Sequence, residues 1–146
     1  MLSLLSKKIF SVRIIVLLLS LFTLSATAQN VIGIPSISAD KDFGYLTLKN
    51  FYSDSNATTD IVWIKGNEMP HKHLHHSEFA YILEGTGMML IGDSVYPVKP
   101  GDFIEIPPGV VHAVRLTSSS PMKAIVIHAP QYDGKDKVEV NMKWPK

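Results

Sequence analysis

The chain has 146 residues, of which 46% are apolar and 18% are charged, so it suits one globular domain and is too apolar for a disordered chain. It contains no cysteine, which excludes disulfide bonds and thiolate metal ligands. Three of its 14 basic residues lie before position 29, so the rest of the chain has 11 basic and 13 acidic residues and no basic patch that would favour nucleic acid as a partner.

The N-terminus has the pattern of a secretory signal peptide. Its basic segment contains Lys7, Lys8 and Arg13. An apolar run over residues 14–24 follows, and the small-residue sequence Ala26-Thr27-Ala28 resembles a signal cleavage site. The run is shorter than the roughly 20 residues of a membrane-spanning helix, which favours cleavage over anchoring. We therefore predict a signal peptide at 1–28, cleavage after Ala28, and a periplasmic or secreted protein without further membrane association.

The mature chain, residues 29–146, is predicted to be a single all-β domain. Short runs rich in Val, Ile and aromatic residues alternate with Gly, Pro, Asn and Asp, and no useful helical period occurs. The predicted strands are Val31–Ile37, Tyr45–Phe51, Asp60–Lys65, Phe79–Glu84, Gly87–Ile91, Ser94–Val98, Phe103–Ile106, His112–Leu116 and Lys123–His128. Many short strands with frequent turns, such as Gly92-Asp93, predict an antiparallel sandwich or barrel. We expect its core at about 43–130 and a loosely packed polar tail at 131–146.

Histidines concentrate in one short stretch of the chain, residues 71–76, which contains four of the six. Because alternate residues of a strand point to the same face, His71 and His73 would project together into the barrel. With Glu78 and His112 they would offer three imidazoles and one carboxylate. This donor set suits Fe, Mn, Co, Ni, Cu or Zn and disfavours Ca or Mg.

Two alternatives for the histidine stretch stay open at this point. In a register shifted by two residues, His73 and His75 would be the ligands, although Glu78 would then follow closely. A histidine-rich stretch by itself is also typical of a solvated loop that binds Zn or Ni adventitiously.

The spacing of these residues resembles the two sequence motifs of the cupin family. The first motif corresponds to Gly66-x4-His71-x-His73-x4-Glu78-x6-Gly85, and the second to Gly101-x5-Pro107-x-Gly109-x2-His112. Fifteen residues separate the two motifs. The resemblance implies a double-stranded β-helix, a jelly-roll barrel of antiparallel strands. It also implies that His71, His73, Glu78 and His112 bind one divalent transition metal, Fe, Mn, Ni or Zn.

The chain departs from the family pattern at two points. The segment from Gly66 to His71 is one residue shorter than the usual first motif, and Leu116 stands where the second motif ends in Asn. The Asn position is not a metal ligand, so the predicted site is retained while the polarity of the pocket changes.

Other residues receive roles from strand parity and from the same resemblance. Glu78 is a candidate base, as well as a ligand. We expect His75 or His76 to line the pocket mouth or donate protons, and His128 to face the interior beside the ligands or the substrate. Tyr81 and Arg115 are predicted to face outward. The residues predicted to form core or pocket wall are Met88, Met89, Phe103, Ile104, Ile106 and Val114.

Three functions are compatible with this sequence. The first is a dioxygenase-like, metal-dependent oxidoreductase that acts on a small organic molecule, with Fe or Mn as the metal. The second is a non-oxidative sugar or keto-acid isomerase or lyase, with Zn or Ni as a Lewis acid. The third is a small-molecule-binding protein without catalysis, because a fold and a site do not fix a function. We expect a homodimer, since a small barrel gains by covering an edge strand.

Overall fold

The computed structural model describes residues 31–145, and the predicted signal peptide lies outside this range. The described chain forms two units, one up to Ile37 and one from Ser38 onward. In the first unit, residues Ile34–Ser36 form a short 3-10 helix where a strand was predicted over Val31–Ile37. The strand prediction is wrong because Pro35, in the first turn, has a fixed φ and no N–H for a strand ladder. Within residues 31–145, no helix is long and apolar enough to cross a membrane.

The second unit contains ten strands in two antiparallel sheets of five. In spatial order, the first sheet contains β1 (Leu46–Ser53), β2 (Thr58–Ile64), β9 (Met122–Ala129), β4 (Ser77–Glu84) and β7 (Phe103–Ile106). The second sheet contains β10 (Lys137–Glu139), β3 (His71–His73), β8 (His112–Leu116), β5 (Gly87–Ile91) and β6 (Ser94–Val98). The all-β antiparallel architecture predicted from the sequence is confirmed.

Most strands occur where the sequence predicts them, and two occur where it predicts none. Strands β5 to β8 have the predicted bounds, and β1, β2, β4 and β9 differ by one or two residues at their ends. The unpredicted strands β3 and β10 are three residues long and pair with each other. The tail is therefore not a loose extension: its strand β10 covers the edge of β3, although its residues have no apolar alternation.

The hydrophobic core contains side chains from both sheets, among them Ile82, Met89, Ile106 and Val114. Strand alternation decides which apolar residues join it. Phe103, predicted as core or pocket wall, is 64% exposed because its neighbour Ile104 takes the inward position.

Other outward-facing side chains follow the same rule. Met88 is only partly buried, because Met89 is the inward residue of that pair. Tyr81 and Arg115 are exposed, as predicted. Phe103 stacks on Phe79, with ring centroids 6.0 Å apart. Met88 and Phe103, predicted to form core or pocket wall, therefore point away from the core because strand side chains alternate.

Gly85, which ends the first motif, has a backbone conformation and surroundings that exclude a side chain. Its φ is +80°, and a Cβ at this position would lie 2.8 Å from Met122 Cα and 2.9 Å from the Pro121 carbonyl oxygen. Gly92 in the β5–β6 turn also has a positive φ, +59°, but nothing lies within 4 Å of its missing Cβ.

We expect Gly85→Ala to lower the free energy of unfolding by at least about 2 kcal/mol more than Gly92→Ala does. Both variants carry the cost of a positive φ, and only the first also collides with backbone atoms. Chemical denaturation of the two variants and the wild type measures this difference. Equal losses would mean that the chain at Gly85 moves freely enough to accept a methyl group.

Candidate metal centre

The four predicted ligands converge between the two sheets. His71 lies directly opposite His112 in the pairing of β3 with β8, and Glu78 lies opposite His128 in the pairing of β4 with β9. His71 and His73 are both buried, whereas the residue between them is only partly buried, because alternate residues share a face. One ligand atom from each of His71, His73, Glu78 and His112 lies within 4.8 Å of the other three.

In each of the three ligand histidines, Nδ1 forms a hydrogen bond with an oxygen atom on the outer side of the site. His71 Nδ1 donates to the Met69 carbonyl and His112 Nδ1 to the Val110 carbonyl, both at 3.0 Å. His73 Nδ1 donates to a carboxylate oxygen of Asp136 at 2.9 Å. A carbonyl oxygen only accepts, so the hydrogen of neutral His71 and His112 must be on Nδ1. Their Nε2 lone pairs are then free, as in most metal-binding histidines.

The distances inside the site fit a shared cation. Glu78 Oε2 lies 3.2 Å from His112 Nε2 and 3.4 Å from His73 Nε2. Two ligand atoms bonded to one ion at about 2.1 Å are separated by about 3.0–3.4 Å for angles from 90° to tetrahedral. Several electron pairs that face one another this closely repel unless a proton or a metal ion lies between them. The residues present therefore fit a divalent transition metal.

The surroundings of His71 and Glu78 favour the protonation states that a metal ligand needs. Burial lowers the pKa of His71 to about 3, assisted by the nearby His112 and Lys137, so this imidazole is neutral. Burial alone would raise the pKa of Glu78, but the imidazoles of His112, His128 and His73 around the carboxylate hold it well below its usual value. The carboxylate is therefore ionised.

His128 faces the interior, with its Nε2 3.4 Å from Glu78 Oε2. Its Nδ1 is buried and has no hydrogen-bond partner among the described residues. With Nδ1 unpaired, the arrangement favours a hydrogen on Nε2, which donates to Glu78 and holds the carboxylate in place. Its ring stacks on Tyr132 at a centroid distance of 4.5 Å.

The remaining predicted histidines lie behind His73 and not at the cavity. His75 is exposed, and its backbone N–H donates to Asp136 Oδ2 at 3.0 Å. His76 is buried, with Nδ1 on the Asp136 carboxylate and Nε2 donating to the Gln131 carbonyl at 2.7 Å. Burial alone would lower the pKa of His76, but these two acceptors raise it overall. Neither ring lines the cavity beside the ligands. That one of them donates protons stays a prediction.

A cavity of about 150 Å³ is lined by three of the four ligands, His71, His73 and Glu78. Its apolar wall consists of Leu46, Leu48, Val62, Ile64 and Val126. Its further polar residues are Glu68, His128, Tyr132 and Lys137. Met88, Ile104 and Val114 were expected at the pocket wall or core. Ile104 and Val114 lie in the core, and Met88 lines a groove on the outer surface.

Sequence reasoning missed four polar residues around the site: Glu68, Tyr132, Asp136 and Lys137. Lys137 Nζ lies 3.4 Å from Glu68 Oε1, which is itself 3.8 Å from His71 Nε2. Burial raises the pKa of Glu68. No motif marks these residues, and Asp136 contacts His73 across 63 positions of the chain. For Asp136 and Lys137, only knowledge of the pairing between β10 and β3 would have indicated a place beside the site.

Comparison with known proteins places the chain in a family. The Cupin domain family model matches residues 61–128. An uncharacterized protein of Aquifex aeolicus is 37% identical over 87 residues, which cover 60% of this chain and 71% of that protein. The chain belongs to the cupin family, and the resemblance of its two motifs is confirmed.

Two further similarities differ in what they cover. Acireductone dioxygenase of Saccharomyces cerevisiae is 37% identical over 62 residues, which are 37% of this chain and 35% of the yeast enzyme. Among solved structures, a double-stranded β-helix protein of Klebsiella pneumoniae superposes with a TM-score of 0.65 over 78% of this chain and 99% of its own. Its sequence identity is 16%, so this likeness concerns the fold alone.

The low pKa of His71 predicts a pH-dependent stability of the metal-free protein. In the unfolded chain this histidine takes up a proton below about pH 6.5, whereas in the folded protein it does so only near pH 3. Its burial as a neutral ring therefore costs stability as pH falls from about 6.5, by about 2 kcal/mol at pH 5. His71→Asn, which keeps a donor for the Met69 carbonyl, removes this cost.

Denaturation at pH 8 and pH 5, with chelator present, measures the effect. The stability of His71→Asn relative to the wild type should improve by about 2 kcal/mol at the lower pH. The same relative stability at both pH values would contradict a buried neutral His71.

Proposed function

We propose that this cupin is a metal-dependent enzyme that oxidises a small organic molecule with dioxygen. The observation that carries the proposal is the group of free Nε2 atoms and one ionised carboxylate beside a cavity. The similarity to acireductone dioxygenase, limited to about a third of that enzyme, supports the oxidative form of the proposal. When bound, a redox-active ion would supply electron transfer to dioxygen and Lewis acidity.

The ligand residues and the cavity indicate the kind of substrate. A divalent ion held by three neutral imidazoles and Glu78 keeps a net charge near +1, which attracts an anionic oxygen donor such as a carboxylate or enolate. Lys137 adds a positive charge at the cavity wall. The wall formed by Leu46, Leu48 and their neighbours suits an apolar substrate group. The proposed substrate is therefore a small, partly apolar organic anion.

The sequence makes Glu78 a candidate for two roles, metal ligand and base, and the geometry bears on which of the two it takes. Its Oε2 lies within 3.4 Å of three histidine nitrogens, which favours a fixed ligand over a mobile base. Glu68 also lines the cavity, with its side chain 13% exposed, and it is the carboxylate better placed to exchange a proton with a bound substrate. This second carboxylate makes a non-oxidative isomerase or lyase the second candidate function.

We expect untagged protein to contain close to one transition-metal ion per chain, measured by elemental analysis. His112→Ala and Glu78→Ala should each lose most of it, because each removes a ligand. His75→Ala is the matched control, since His75 is exposed and outside the ligand group, and it should retain the metal. Unchanged metal content in the two ligand variants would overturn the metal site.

The oxidative reaction has its own measurement. Iron or manganese in the purified protein, together with dioxygen uptake on addition of small keto or hydroxy acids, would support it. Zinc or nickel, with substrate conversion but no dioxygen uptake, would contradict oxidation and favour the second candidate. In that case Glu68→Gln should reduce conversion while metal content stays at the wild-type level.

We further propose that the protein acts outside the cytoplasm, on the strength of the N-terminal sequence pattern. Expression of the full chain in its native host or a bacterial host should yield a periplasmic or secreted protein whose N-terminal residue is Gln29. Mass spectrometry of the exported fraction measures this terminus. Full-length protein retained in the cytoplasm would contradict the proposal.

A further inference from the structure

The three ligand imidazoles are oriented in two different ways. His71 and His112 donate from Nδ1 to the backbone carbonyl two residues earlier in the chain, Met69 and Val110 respectively. Those acceptors belong to the same local segment and are present wherever that segment folds. His73 instead donates to Asp136, a side chain 63 residues away in the C-terminal segment. Its ring orientation therefore depends on where that segment lies.

The C-terminal segment is fastened directly behind His73. The Leu74 N–H donates to the Asp136 carbonyl at 3.4 Å, and Lys137 pairs with His73 in the β3–β10 register. His76 donates to both Asp136 and the Gln131 carbonyl, so it connects the two ends of the loop formed by residues 131–136. Further along, the Val140 N–H donates to the Pro70 carbonyl at 2.8 Å. Each of these bonds brings the segment against the first motif.

Asp136 has the features of a residue that orients a neighbour. Its side chain is 7% exposed, and its two oxygens accept from His73, from His76 and from the backbone N–H of His75. A carboxylate that accepts from Nδ1 fixes both the tautomer and the ring plane, and it makes the opposite Nε2 a stronger donor to a metal. Neither local carbonyl at His71 or His112 carries the negative charge that Asp136 does.

We propose that residues 131–140, which we name the C-terminal clasp, position the ligand His73 through Asp136, so that clasp docking and metal binding are coupled. The inference rests on the proposed metal site. It goes beyond the family resemblance, because the clasp lies after residues 61–128, which the family model matches. Asp136 is a positioning residue and does not line the cavity. Any metal that prefers the clasped His73 must equally stabilise the clasp, because coupling is reciprocal.

The first experiment compares the Zn²⁺ affinity of the wild type, Asp136→Ala, Asp136→Asn and Asp133→Ala, by competition with a chromophoric chelator. Asp136→Ala should bind about 10- to 100-fold more weakly, which is the usual range for loss of a partner behind a metal-binding histidine. Asp136→Asn should lie in between, because an amide oxygen still accepts but is uncharged. Asp133→Ala removes an exposed carboxylate of the same clasp, paired with Lys135, and should bind as the wild type does.

A spectroscopic measurement separates positioning from mere stability. Nitrogen-15 spectra of the imidazoles should show His73 with its hydrogen on Nδ1 in the Zn²⁺-loaded wild type. In Asp136→Ala the His73 signal should move towards a tautomer mixture, while those of His71 and His112 stay in place. A general loss of stability would not affect one imidazole of the three, so equal changes in all three would overturn the positioning role.

The second experiment uses the wild type and requires no clasp variant to fold. Amide hydrogen exchange at Val140, whose N–H bonds to Pro70, should slow on addition of Zn²⁺. His112→Ala loses a ligand on β8, which is separated from β10 by β3 in the sheet, and in this variant Zn²⁺ should leave the exchange rate of Val140 unchanged.

The outcomes distinguish the two proposals. A wild type that binds no Zn²⁺, Mn²⁺ or Fe²⁺ overturns the metal site itself. Metal binding by the wild type, with equal affinities for Asp136→Ala and Asp133→Ala and no slowing at Val140, leaves the metal site intact and overturns the coupling.

Discussion

The hydrogen bonds from three imidazole Nδ1 atoms to oxygens outside the site are the interaction on which the rest of the centre depends. They fix which nitrogen of each ring faces inward, and so turn buried histidines into a set of converging electron pairs. Without them, each ring could adopt either tautomer, and hydrogen bonds between the ligands would compete with a cation. Burial alone would not aim the rings.

The two sheets divide the task of building this centre. The second sheet provides the imidazoles of His71, His73 and His112, and the first provides Glu78 with His128 behind it. The negative charge therefore comes from one side and the neutral donors from the other. The apolar side chains of β1 and β2 close the cavity beside them. The pocket is consequently a property of the packed sheets, and neither sheet forms it alone.

The sequence predicts the fold and the four converging ligands because both depend on short-range patterns. The two-residue period and the turn residues predict strand β8 and place His71 and His73 on one face, and the resemblance to the cupin motifs implies Glu78 and His112 as the further ligands. Asp136 and β10 are not predictable in this way, since three exposed residues carry no apolar alternation and their contacts lie over 60 positions away. The hydrogen bonds of His75 and His76 are not predictable for the same reason, because their acceptors, Asp136 and Gln131, lie in that tail.

The alternation of side chains along the strands that carry the ligands also limits where the chain can gain or lose residues. A one-residue insertion within β4 or β8 would turn Glu78 or His112 to the outer face, because strand side chains alternate. The Gly92-Asp93 turn lies between strands that contribute no ligand, β5 and β6, and nothing crowds it. Natural variants should therefore gain and lose residues at this turn, while the intervals from His71 to Glu78 and from Gly101 to His112 stay constant.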